Sequence, residues 1–150
     1  MQQDESGASH DSLHQPFMNQ FPRTSNILGI GTDIIQVERI AQMREKHGEV
    51  FLNRVFTIGE IAYCSPRRAA DQHYAGRWAA KEAVLKVLGT GWAKGIQWTD
   101  VEVVNRPSGA PVIALANRAA EIASERGIRE IQISISHCRA YATAFAIGVG

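Results

Sequence analysis

The chain predicts an α+β domain in which an antiparallel sheet packs with one long helix. Three observations carry this. Residues 69–88 read as a single helix that is apolar on two sides and closed by Gly89. Two runs of strand-forming residues flank a tight turn at Asn105-Arg-Pro-Ser-Gly109, and two more lie near the C-terminus. Helices cluster early and hairpins late, an order that suits an antiparallel sheet. At 150 residues the chain is a single domain with room for a modest core.

Composition narrows the function. With 45% hydrophobic and 21% charged residues this is ordinary globular chemistry. A net charge of +1 argues against a large nucleic-acid footprint, so an anionic partner must meet a local basic patch. Cys64 and Cys138 stand apart and form no CxxC, which suits a reducing cytoplasm better than a disulfide scaffold or a zinc ribbon. No stretch approaches the roughly 20 apolar residues of a membrane span. Through Pro22 the chain carries Asp4, Glu5 and Asp11 but no Lys or Arg, unlike a signal or transit peptide. Residues 1–25 are expected to be a flexible extension and 26–150 the folded domain.

Within 26–150, Ile27-Leu-Gly-Ile-Gly-Thr-Asp33 is a short strand whose glycines invite close backbone approach, ending at Asp33. A helix is expected over Ile34–Lys46 with Gly48 as its stop, then a short one over Glu49–Arg54. Thr57-Ile-Gly-Glu60 has capping-box spacing, and Ser65-Pro66-Arg67-Arg68 is a turn. The long helix follows, with Gly76 a candidate break. Trp98–Asn105 and Pro111–Leu115 should pair as a hairpin, Asn117–Arg126 form an amphipathic helix stopped by Gly127, and Ile131–Ser136 and Ala140–Ile147 be strands joined by His137-Cys-Arg139.

The long helix raises the chemical question. At 100° per residue, Ala80, Ala83, Val84 and Val87 form one stripe, and Trp78, Glu82, Leu85 and Lys86 lie nearly opposite. A helix apolar on two sides is enclosed, so Glu82 and Lys86 need a partner, a metal or a substrate. Their i, i+4 spacing alone makes only a surface pair contributing about 0.2–0.5 kcal/mol. Two further polar outposts change the weighing: Asp33 at a strand end and Ser136-His137 at another. Two carboxylates without a nearby His or Cys suit Mg²⁺, which keeps several waters and bridges to phosphates, with Lys86 offsetting remaining charge. Gly89-Thr90-Gly91 could cradle another phosphate with its backbone. His137 alone is more often a hydrogen-bonded strand-end histidine than a catalytic one.

Taken in one collinear order from Ile27 onward, these segments resemble the holo-[acyl-carrier-protein] synthases, the short bacterial-type 4′-phosphopantetheinyl transferases. The resemblance rests on Gly29-Ile-Gly-Thr-Asp33-Ile, Phe56-Thr-x-x-Glu60, Arg77-Trp-Ala-Ala-Lys-Glu82-Ala-x-x-Lys86-x-Leu-Gly-Thr-Gly, Pro107-Ser-Gly-x-Pro111 and Ile133-Ser-Ile-Ser-His137. It implies the 4′-phosphopantetheinyl transferase fold and transfer of phosphopantetheine from coenzyme A to a serine of apo acyl carrier protein, releasing adenosine 3′,5′-bisphosphate. Asp33 and Glu82 would hold Mg²⁺ and Lys86 would stabilise phosphate charge. Arg77, Lys81, Gly89, Thr90, Gly91, Ser136 and His137 match positions near coenzyme A. The base stays open between His137 and a water on the metal with Glu82 acting through it.

The same resemblance gives the first helix a role in receiving the acidic carrier protein, through Arg39 and Met43, with Arg44, Lys46 and Arg54 as weaker candidates. Without it, the interleaved Glu38, Glu45 and Glu49 make an ordinary solvated helix. A homotrimer with sites between subunits is also implied, in the cytoplasm and in the service of fatty acid biosynthesis. Trp78 stands where phenylalanine is usual, and Ala110 where lysine is common. Two other readings compete. A silent carrier-binding module would have no need of Asp33, Glu82 and Lys86 together. A cyclodiphosphate synthase would need a zinc-binding histidine where Ile35 stands.

Overall fold

A computed structural model describes residues 26–150; the expectation of a flexible extension over 1–25 lies outside them. The elements are β1 (Ile27–Gln36), α1 (Val37–Val55), α2 (Ile58–Cys64), α3 (Ala70–Leu88), a single 3-10 turn (Trp98–Asp100), β2 (Val101–Asn105), β3 (Pro111–Leu115), α4 (Asn117–Glu125), β4 (Glu130–His137) and β5 (Tyr141–Val149). An antiparallel sheet ordered β1-β5-β4 and a separate β2-β3 hairpin confirm the α+β expectation.

α3 is the hub. Its stripe of Ala80, Ala83, Val84 and Val87 is buried, and so are Leu85 and Leu88 toward the other side. Each large aliphatic side chain so enclosed contributes about 1.5–3 kcal/mol of burial. The helix lies across β1, β5 and β4 and also meets α1, α2 and β2. It runs unbroken through Gly76, because the surrounding elements enclose the backbone there. It ends at Gly89 in the left-handed region (φ 69°), where Arg126 from beyond α4 donates to the free carbonyls of Val87 and Leu88.

Two boundaries differ from expectation. β1 runs on to Gln36, since Ile34, Ile35 and Gln36 pair with Thr143, Ala142 and Tyr141, so Asp33 sits inside the strand and the helix starts at Val37. Trp98–Asp100 is a 3-10 turn that Asp100 caps by accepting from the Gln97 N–H, which shortens the following strand. The expected stop at Gly48 is present: it leaves the helical region (φ 54°, ψ −133°) and divides α1 into two helical pieces, as the sequence indicated. The capping box is present: Thr57 Oγ1 accepts from the Glu60 N–H while Glu60 Oε2 accepts from the Thr57 N–H.

Glu60 has a second task. Its Oε2 lies 2.8 Å from Lys81 Nζ with both side chains fully buried, and its Oε1 accepts from the Val103 N–H at 2.9 Å. Lys81 spends its other donors on the carbonyls of Trp98 (3.0 Å) and Val101. One ion pair thus ties α2, α3, the 3-10 turn and β2 together. Burial pulls the Lys81 ammonium below the ordinary lysine value, and Glu60 opposes that pull.

Lys81→Met is therefore expected to cost about 3–5 kcal/mol, because it strands the Glu60 carboxylate without a counter-charge. Adding Glu60→Gln should restore much of the loss. Urea midpoints read both effects, and a wild-type midpoint for Lys81→Met would contradict the structural role.

Candidate active site

Asp33 reaches its place through two close approaches. A Cβ on Gly29 would lie 2.6 Å from the Val87 carbonyl oxygen, and one on Gly31 only 2.0 Å from that of Ala83. Two residues along β1 correspond to four back along α3, about 6.6 Å against about 6.0 Å, so strand and helix run antiparallel in register. Asp33, two residues on, continues that register. Lys86 bends toward it: Nζ donates to the Thr32 carbonyl at 2.5 Å and lies 3.4 Å from Asp33 Oδ1. The lysine side chain is about half exposed (52%) and the aspartate less so (19%). Burial pushes the Asp33 carboxyl above its ordinary value, against the pull of Lys86.

Glu82 is one turn before Lys86 on α3 and half-buried. Trp92, from the segment after Gly91, donates its indole N–H to Glu82 Oε1 at 3.1 Å. Trp92 stacks on Trp98 (centroids 3.6 Å), which stacks on Trp78 (4.3 Å), so an aromatic ladder braces this carboxylate. Sequence reading missed Trp92; a tryptophan directly after Gly-Thr-Gly was the available signal.

The donors fit a hard cation that stays partly hydrated. Among the described residues, no group of three or more acidic, His or Cys side chains converges into a closed cage. Asp33 and Glu82 would offer carboxylate oxygens, the donors that a hard cation such as Mg²⁺ takes while keeping several waters.

A second cluster lies between α2, α3, the hairpin and β4. Arg77 is 5% exposed, donates through Nη2 to Asn105 Oδ1 at 2.6 Å, and stacks on Tyr63 with the guanidinium carbon 4.0 Å from the ring centroid. His137 reaches the same cavity from the end of β4, its ring 5.6 Å from that of His73.

Other expected site residues are placed elsewhere. Lys81 is corrected: its ammonium is spent on Glu60, Trp98 and Val101 in the core and is not free for a phosphate. The space above Gly89 is taken by Arg126 Nη1, 2.7 Å from where a Cβ would stand, so this glycine serves the helix cap. Gly91 also has positive φ (56°), and Thr90 Oγ1 donates to its carbonyl. Ser136 is on the face of β4 opposite His137, paired in register with Thr143. On α1, Arg39 is exposed, and Met43 and Arg54 line a groove with His47, Val50, Phe51, Trp78 and Trp98. Arg44 turns away, pairing with Asp71 and lying over the Tyr74 ring (4.8 Å), which removes it from that surface.

Residues 29–146 match the family model described as the 4′-phosphopantetheinyl transferase superfamily. A holo-[acyl-carrier-protein] synthase of Protochlamydia amoebophila is 49% identical over 80% of this chain and 96% of its own length. One from Desulforudis audaxviator is 51% identical over 83% and 94% respectively. Among solved structures, the synthase of Neisseria meningitidis superposes with a TM-score of 0.76 at 28% identity, covering 83% of this chain and 99% of that one. The Helicobacter pylori synthase, solved in complex with coenzyme A, gives 0.71 at 30% identity, covering 79% and 98%. Sequence and fold together place this chain in the holo-[acyl-carrier-protein] synthase family of the 4′-phosphopantetheinyl transferase superfamily.

Proposed function

We propose that this chain transfers the 4′-phosphopantetheine group of coenzyme A to a serine of apo acyl carrier protein in a Mg²⁺-dependent reaction. The observation that carries this reading is the meeting of Asp33 with Lys86, one turn from Glu82, across the β1–α3 contact. The serine hydroxyl gives up its proton to a base and its oxygen forms a bond to the β-phosphorus. The bond from that phosphorus to the bridging oxygen breaks, and adenosine 3′,5′-bisphosphate leaves with the electron pair. Asp33 and Glu82 would hold Mg²⁺, which supplies positive charge to the diphosphate. Lys86, half exposed and already turned to this spot, opposes charge that grows on the leaving phosphate. Arg77 and His137 hold phosphate at the second cluster. The Trp92 hydrogen bond fixes one Glu82 oxygen and leaves the other for the cation.

The carrier protein docks on α1 through Arg39, with Met43 and the apolar groove beside it. The chain assembles as a trimer with sites between subunits. The outer face of the β1-β5-β4 sheet supports that assembly, because Ile30 (61%), Ile34 (66%), Tyr141 and Phe145 stand exposed on it together.

Intact mass of apo acyl carrier protein after incubation with this chain, coenzyme A and Mg²⁺ should rise by about 340 Da, and not with EDTA. Asp33→Asn and Glu82→Gln should each cut turnover by about 100-fold or more while keeping the fold. Near-normal turnover in either would overturn the metal assignment. Arg39→Glu should raise the carrier-protein KM by about tenfold and spare coenzyme A binding; an unchanged KM would remove α1 from docking. Sedimentation should give three chains for the wild type and fewer for Phe145→Asp, and a one-chain wild type would contradict the trimer.

A further inference from the structure

The cavity of about 170 Å³ at the second cluster is lined by Tyr63, His73, Arg77, Asn105, Ile135 and His137, among others, and by no Asp or Glu among the described residues. Arg77 Nε, buried there, has no hydrogen-bond partner among the described residues. A guanidinium enclosed with neutral neighbours and an unpaired N–H is half of an anion site. His73 belongs to the same site. It stands one turn before Arg77 on α3, and its ring lies edge to face with His137 at 5.6 Å and with Tyr63 at 5.7 Å.

We propose that His73 is a specificity-determining residue for a phosphate monoester, pairing with His137 so that the cavity takes up a proton as the dianion enters. This rests on the reading that coenzyme A is the substrate and that Arg77 and His137 hold its phosphate. Coenzyme A carries one phosphate monoester, on its ribose. The two diphosphate phosphorus centres are diesters of a single charge each and have no proton to exchange near neutral pH. A monoester has its second pKa near about 6, so above that it brings two negative charges. The groups facing His73 are the Tyr63 phenol from α2, the Arg67 guanidinium from the turn after α2, Arg77 from α3 and His137 from β4. Burial, then His137, Arg67 and Arg77 in that order, hold the empty-site imidazole below the ordinary histidine value, so it is neutral at pH 7. A dianion reverses the sign of the local field and raises that value. Between the lowered free value and the raised bound one, binding takes up a proton, and affinity falls as pH rises.

Calorimetric titration of the full chain with coenzyme A, whose single monoester is the ribose phosphate, at pH 7 in buffers of different ionisation enthalpy reads that uptake. The wild type should take up about half a proton or more per ligand, and His73→Gln less than half as much. Coenzyme A should be favoured over dephospho-coenzyme A by a ratio that shrinks about three- to tenfold from pH 6.5 to 8. In His73→Gln that slope should flatten while dephospho-coenzyme A binds as it does to the wild type. Uptake unchanged by His73→Gln, or equal weakening of both nucleotides, would overturn the proposal. Phosphopantetheine transfer to the carrier, followed separately by mass, distinguishes the failures: transfer without His73-dependent uptake sinks only this role, and uptake without transfer sinks only the proposed activity.

Discussion

The site depends on how closely β1 is pressed against α3. With a Cβ at Gly31 only 2.0 Å from the Ala83 carbonyl oxygen, no side chain larger than hydrogen fits there unless strand and helix separate. The contact fixes the register of the two elements, and the register determines which side chains meet. By that register Asp33 comes level with Ala79, one turn before Glu82, and the Lys86 side chain reaches back along the helix to meet it, although strand and helix are some fifty residues apart in sequence. The other side of β1 pairs with β5, whose register is set by side chains alternating between α3 and the exposed face. A separation of strand and helix would thus disturb the carboxylates, the lysine and the sheet together.

The buried Lys81–Glu60 pair does for the opposite side of α3 what the glycines do for β1. Every polar group in it is satisfied, with Glu60 accepting from Thr57 and Val103 as well as Lys81, and Lys81 donating to two carbonyls. Such a pair adds little net stability compared with an apolar substitute, yet it allows few alternative packings, because any other arrangement strands a charge. It therefore holds α2 and the hairpin in place around α3. Those elements in turn supply Tyr63 and Asn105 to Arg77. The ionic core and the cationic cavity are consecutive turns of one helix.

Much of this was legible in the sequence because local rules govern it. The capping box at Thr57–Glu60, the stop at Gly89, the Asn105–Gly109 hairpin and the two-sided apolar character of α3 follow from residue types at short spacing. Asp33, Glu82 and Lys86 stood out as polar residues at the edges of regular structure; the fold brings Lys86 to Asp33, with Glu82 one turn earlier on the same helix. What escaped depends on distant pairing. Lys81 looks like a basic residue near a phosphate until Glu60, twenty-one positions earlier, is found beside it in the core. The strand end at Gln36 was hidden because the residues that extend it, Tyr141 to Thr143, lie at the other end of the chain. Arg44 and Arg39 cannot be told apart by spacing alone; only the Asp71 carboxylate and the Tyr74 ring single out Arg44 as occupied.

The proposed function turns on the β1–α3 contact holding a divalent cation for the diphosphate of coenzyme A. Calorimetric titration of coenzyme A into the wild-type chain, once in Mg²⁺ and once in EDTA, tests it without any carrier protein. Binding about tenfold or more tighter in Mg²⁺ is expected, because without the cation two carboxylates face an anionic ligand. Equal affinity in the two conditions would contradict the claim and leave Lys86 and the Arg77 cavity as the whole of the phosphate grip.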